Sequence, residues 1–218
     1  YLSCASCHND GGQDGRSWDF TSLGEGIRNT ISLRGRAGPA HGPLHWSANF
    51  DEVQDFENQI RDLALGQGLM SDPHFAATES PLGPPKSGQS ADLDALAAYV
   101  TSLDSFANSP YRNSNGTLTA NAEGGKTVFT NANCAQCHQG ANFTDSSAGV
   151  LHDIGTIKAG SGNRSGGTLL GIDTPTLRGV WGTAPYLHDG SAGTLTDAIN
   201  AHNGLSLSTN EKNLLVAY

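Results

Sequence analysis

The chain has 218 residues, enough for one large domain or two small ones. Only 36% of them are apolar and 28 are glycine, a thin supply for one large core, and the formal net charge is -9. That charge argues against a nucleic-acid partner, which wants a basic patch, and no apolar run is long enough to span a bilayer.

In chain order, Tyr1 stands three residues before Cys4-Ala5-Ser6-Cys7-His8, so the expectation is that upstream residues, a signal peptide among them, have been removed. A Gly-rich stretch leads to Ser32-Leu33-Arg34-Gly35, then to His41 and Pro43-Leu44-His45-Trp46. Phe50, Val53, Phe56, Ile60 and Leu63 share one face of a helix predicted over about 50–65. Leu93, Leu96, Ala97, Val100 and Leu103 do the same over 91–103. Residues 104–119 are rich in Ser, Asn and Pro and read as a linker. Glu123 to Thr130 reads as a helix anchored by Phe129 and leading into Cys134-Ala135-Gln136-Cys137-His138. The stretch 145–170 is Gly- and Ser-rich and reads as a long loop. Thr176-Leu177-Arg178-Gly179 and Pro185-Tyr186-Leu187-His188 then repeat the order of the first half. Thr194-x-x-Asp197 is a capping box opening a short helix through His202, and Ser208-x-x-Glu211 opens a C-terminal helix. The last residues, Asn213 to Tyr218, fall inside an apolar helical pattern, so the expectation is an excised part of something longer. Strand signal is slight.

All four cysteines belong to the two CxxCH motifs, so none is left for a disulfide. CxxCH is the attachment signal for c-type haem: the thiols add across the vinyl groups and the adjacent histidine ligates iron from one face. Zinc fits less well, because its CxxC pairs lie closer in sequence, and a redox-active pair needs no histidine after it, twice. The expected cofactors are two covalently bound c-type haems, held by Cys4, Cys7 and His8 and by Cys134, Cys137 and His138. The macrocycles supply apolar surface that the side chains lack. Covalent attachment occurs outside the cytoplasm, which implies the periplasm, the cell surface or the extracellular space. The expected fold is mainly α: two tandem cytochrome c-like domains, 1–105 and 120–218, each with one haem and long loops, joined by the linker 104–119.

The other face of each iron decides function, since a second strong ligand makes an electron carrier and an open position permits peroxide chemistry. For the second haem the first choice is His202, which shares a helical face with Leu195 and Ile199; His188, in a turn beside Asp189, is the alternative. For the first haem the first choice is His45, next to Trp46, with His41, His74 and the single methionine, Met70, left open.

Thr174-Pro175-Thr176-Leu177-Arg178-Gly179 through Thr183-Ala184-Pro185-Tyr186-Leu187-His188-Asp189-Gly190 resembles the signature of the bacterial di-haem cytochrome c peroxidase family, which includes the enzyme that matures methylamine dehydrogenase. The resemblance covers both halves; Asn29-Thr30-Ile31-Ser32-Leu33-Arg34 and His45-Trp46 match a weaker pattern in the first. It implies that the second haem's distal ligand, usually methionine, falls on His202, fourteen residues after His188, and that His188 supports the site from behind. It implies that Trp46 lies between the haems. It also implies a calcium ion between the domains, held at Asn29, Thr183 and Pro185.

Three departures bear on activity. The family's displaceable histidine falls near Thr21; its catalytic acid falls near Gly66-Gln67-Gly68, where there is no carboxylate; and His45 replaces an aromatic residue lining the peroxide pocket. Without an acid-base group no proton moves between the peroxide oxygens. The expected function is therefore an electron-transfer module with two bis-histidine haems, serving a redox partner protein or fused enzyme domain, with a basic partner favoured by the acidic charge. The alternative is a peroxidase or peroxide-dependent oxidase using the first haem.

Overall fold

The computed structural model describes residues 3–37 and 41–218. Helices carry most of the regular structure, long loops join them, and the described strands lie in three separate two-stranded sheets. The first CxxC is itself a single helical turn, α1 (Cys4–Cys7). After it β1 (Ser17–Phe20) and β2 (Gly26–Asn29) pair antiparallel, Ser17 opposite Asn29 and Phe20 opposite Gly26. Four residues of alternation are too few for periodicity to register, so this hairpin was not legible in the sequence.

The helix expected over about 50–65 is shorter, α2 (Phe56–Asp62), behind a 3-10 turn at Val53–Asp55. Local bonding trims it. Phe50 pairs with Leu44 in an isolated bridge, and the Asp55 carboxylate accepts from the Asp51 and Glu52 N–H groups. At the far end Leu65 turns to φ 53 and the Gly66 N–H donates to Ile60 O, a left-handed stop. α3 (Asp72–Ala77) follows, then α4 (Ala91–Ser102), which forms as expected. Ser90 Oγ accepts from the Leu93 N–H as its cap, and Leu93 and Val100 are buried. α4 packs on the Val53–Asp55 turn, beneath which the fully buried Lys86 pairs with Asp55 at 2.7 Å.

In the second half α5 (Ala120–Asn131) extends beyond the expected helix at both ends, because Thr119 caps it. The loop 145–170 is less plain than expected. It carries β3 (Leu151–His152), β4 (Asn163–Arg164) and β5 (Gly167–Thr168); β4 pairs with β5, and β3 with β6 (Ile172–Asp173). α6 (Leu195–Asn200) and α7 (Thr209–Ala217) open on the two capping boxes. α6 stops at Asn200, so His202 lies just past the helix, its N–H donating to Ile199 O. α5 packs against α7 across Gly125, where a Cβ would collide with the Leu214 carbonyl. Phe129, Phe143 and Tyr218 close the contact edge to face, with centroids 5.4 to 6.1 Å apart.

The start of the 104–119 segment is held from both sides. Arg34 donates to Ser105 O, while Arg178 donates to Asp104 Oδ1 and lies 4.2 Å over the Phe106 ring. Gly35 (φ 67) and Gly179 (φ 69) both abut Phe106, and a Cβ on either would press into that ring. The repeated Leu-Arg-Gly turns therefore clasp one aromatic side chain.

Candidate functional site

The two CxxCH histidines are held alike. His8 Nδ1 faces Gly12 O at 3.3 Å, and His138 Nδ1 faces Phe143 O at 3.1 Å. A carbonyl only accepts, so Nδ1 carries the proton and Nε2 keeps its lone pair, the state a metal ligand needs. A second carbonyl acts on each ring, Ile31 on His8 and Pro175 on His138. These are equivalent positions of the internal repeat, each just before the Leu-Arg-Gly turn. Burial pushes both histidine pKa values down, that of His138 to about 4, so both are neutral imidazoles at pH 7.

Electrostatics links each of these rings to one more histidine. Among the causes that shift His138 is the charge of His202, and among those that shift His45 is the charge of His8. His202 Nδ1 donates to Ala198 O at 2.9 Å, which leaves its Nε2 free. His45 sits at φ 67, its ring 4.3 Å from Phe50 and 4.9 Å from Phe56 between centroids. Its Nδ1 meets Asn49 Oδ1 at 2.7 Å and its Nε2 meets Gln59 Nε2 at 3.1 Å. Neither Asn49 nor Gln59 was singled out in the sequence.

The other histidine candidates are engaged elsewhere. His188 is buried with Nε2 2.9 Å from Ser161 Oγ, and its carbonyl accepts from the Asn29 N–H, so it ties the halves together. His41 is buried against Arg36, 3.4 Å from its Nη1, and donates from Nδ1 to Gly42 O. His74 is exposed on α3. Met70 is buried, with its N–H on Glu57 and its carbonyl accepting from Arg61.

The region expected to carry a catalytic acid offers none. Gly66-Gln67-Gly68 has no carboxylate, and the buried Glu57 beside it accepts from the Leu69 and Met70 N–H groups and from Arg61 Nε. Thr21, where a displaceable histidine falls in the resembling family, is exposed at the end of β1.

The residues fit c-type haem. Beside Cys7 lies a cleft of about 380 Å³ lined by Trp18, Phe20, Leu23, Leu63 and Leu65. Leu65 there is 85% exposed, an apolar wall of the kind a porphyrin covers. A second cleft of about 250 Å³ opens between α5 and the loop after His202, lined by Val128, Leu205 and Leu207. Trp46 is buried; its indole N–H donates to Asn29 O at 2.9 Å and its carbonyl accepts from the Asp173 N–H. Asn29 Nδ2 approaches Pro185 O at 2.6 Å while its buried Oδ1 has no hydrogen-bond partner, an oxygen suited to a hard cation. Thr183 uses its hydroxyl on Val180 O.

Comparison with known proteins places this arrangement. The family described as RoxA-like, cytochrome c-like matches residues 171–206. The chain is 31% identical to hydrazine synthase subunit gamma of Kuenenia stuttgartiensis over 91% of its own length, and spans 63% of that protein. It is 26% identical to the cytochrome c551 peroxidase of Pseudomonas aeruginosa, over 100% of its own length and 71% of the peroxidase. A solved structure of Kuenenia stuttgartiensis hydrazine synthase superposes with a TM-score of 0.63 at 28% identity, covering 100% of this chain and 80% of that one. The likeness runs through both halves rather than the second alone, and so the chain is similar throughout to the di-haem cytochrome c peroxidase-like proteins, with a cytochrome c-type fold and the attachment motifs of c-type haem.

Proposed function

We propose that the chain is an electron-transfer module of two tandem haem domains, 1–105 and 120–218, in which His8 and His45 ligate one iron and His138 and His202 the other. Cys4 and Cys7, and Cys134 and Cys137, hold the haems covalently. The observation that carries the reading is the pairing: both CxxCH histidines are neutral and turn Nδ1 to a carbonyl, His202 is among the charges that act on His138, and His8 is among those that act on His45. Bound haem supplies one-electron chemistry, and two imidazoles per iron leave no open position for a substrate. Trp46, bonded to Asn29 on one side and Asp173 on the other, is the side chain that joins the two halves for electron passage. The orphaned Asn29 oxygen and the Pro185 carbonyl support calcium binding at that same junction. The net charge of -9 favours a basic redox partner or fused enzyme domain, and haem attachment points to the periplasm. None of the described helices is long and apolar enough to cross a membrane.

One observation favours the second reading, a peroxidase or peroxide-dependent oxidase at the first haem. His45 Nε2 is 3.1 Å from Gln59 Nε2, and one lone pair cannot serve an amide and an iron together. Electron paramagnetic resonance of the oxidised holoprotein separates the two. The electron-transfer reading expects low-spin ferric signals alone. A substantial high-spin signal, or rapid carbon monoxide binding by the reduced protein, overturns it in favour of the peroxidase.

A further inference from the structure

The partners of His45 form a chain whose donor and acceptor directions are fully determined. Asn49 Nδ2 lies 2.6 Å from Glu25 Oε1. A carboxylate only accepts, so the amide nitrogen faces Glu25 and the amide oxygen faces His45. That oxygen, 2.7 Å from Nδ1, requires a proton on Nδ1, so the lone pair is on Nε2, where Gln59 Nε2 approaches at 3.1 Å and has to turn away for iron to take its place. Glu25 is itself anchored: its Oε2 accepts from Ser47 Oγ at 2.9 Å and stands 3.2 Å from Arg28 Nη2. The turn between them is pinned from the other half of the chain, where Arg164 donates to the Ser47 and Ala48 carbonyls at 2.8 and 2.9 Å. Without that clamp the left-handed φ values of His45 (67) and Ala48 (50) have little to hold them.

We propose that Glu25 and Asn49 are positioning residues for His45: through the Asn49 amide, Glu25 sets the Nδ1–H tautomer, aims Nε2 at the first haem and makes the imidazole a more electron-rich ligand. The inference rests on the reading of His45 as an iron ligand. A carboxylate one amide away favours the ferric state, so the relay lowers the potential of the first haem and leaves the second untouched. The connection is long-range, reaching from the loop after β1 to the turn before α2, and no spacing rule in the sequence links these residues.

Three variants of the holoprotein test it by redox titration and electron paramagnetic resonance. Glu25→Gln keeps an acceptor for the Asn49 amide and removes the charge. The expected result is an upward shift of the first haem's potential alone, with the low-spin signal retained. Asn49→Leu removes the acceptor facing Nδ1, and a high-spin fraction is expected at the first haem. The double variant Glu25→Gln, Asn49→Asp reverses the direction of the bond and moves the charge onto the imidazole's neighbour, while net charge near Arg28 is conserved. Its first haem is expected to be low-spin with a potential below that of the parent protein. His45→Gly serves as the reference. If it remains entirely low-spin, His45 is no ligand and both readings fail. If it turns high-spin while Glu25→Gln and the double variant keep the parental potential, His45 stands as a ligand and the relay alone is overturned.

Discussion

A histidine that donates from Nδ1 to a carbonyl four residues back has one nitrogen left to offer, and His202 is in that position. A thioether in its place stabilises ferrous over ferric iron. His202→Met is therefore expected to raise the second haem's potential in a redox titration, and an unchanged potential means that His202 does not ligate. This residue stands out as a candidate in the sequence, since Leu195 and Ile199 point the same way at helical spacing, although α6 ends at Asn200 and presents His202 from a turn. His45 was legible as a candidate but its surroundings were not. Glu25, Asn49 and Gln59 are polar residues of ordinary appearance, and only the folded chain brings Asn49 and Gln59 to the two nitrogens of His45 and Glu25 behind Asn49.

Among the elements, the helix starts at Thr194 and Ser208 were legible as capping boxes, a signal confined to four residues, whereas Ser90 and Thr119 cap α4 and α5 without an acidic partner three residues on and gave no such signal. The shortened α2 depended on what lay beside it, because Leu44 draws Phe50 into a bridge and Glu57 draws in the loop after the helix. The α5–α7 pair depends on Gly125 in a similar way. A methyl group there meets the Leu214 carbonyl and the Tyr218 side chain. Gly125→Ala is expected to destabilise the protein by about 1–3 kcal/mol, typical of forcing an extra carbon into a packed interface. A urea titration of the holoprotein should show a lower midpoint at an unchanged slope, and a midpoint equal to the parent's means that the helices separate freely.

At the scale of the molecule, a buried polar seam runs beside Trp46. Ser146 Oγ donates to Asp173 Oδ2 at 2.9 Å, and Arg36 lies 5.8 Å from the Trp46 ring centroid and contacts His41. Burial, and after it the Arg36 charge, push the His41 pKa to about 4. An unfolded histidine titrates near 6.5, so below that pH the unfolded chain takes up a proton that the fold refuses. Stability is expected to fall as pH drops from 6.5 to 4, by about 3 kcal/mol from this residue. Asp173, raised to about 6 chiefly by burial, works the other way between pH 4 and 6, because its folded carboxyl binds the proton first. His41→Gln should flatten the acid limb and Asp173→Asn should steepen it in melts between pH 4.5 and 7. A His41→Gln protein with the parental pH dependence overturns the assignment.

The sequence by itself determined what is chemically local: two five-residue attachment motifs, the capping boxes of two helices, the loose repeat and an acidic net charge. Each needs only neighbouring residues and a fixed spacing, and so survives without knowledge of the fold. Tertiary structure alone decided that both Leu-Arg-Gly turns grip Phe106, and that Arg164 of one half pins the His45 turn of the other. Those contacts join residues 60 or more positions apart, where no periodicity carries over and only packing sets the register.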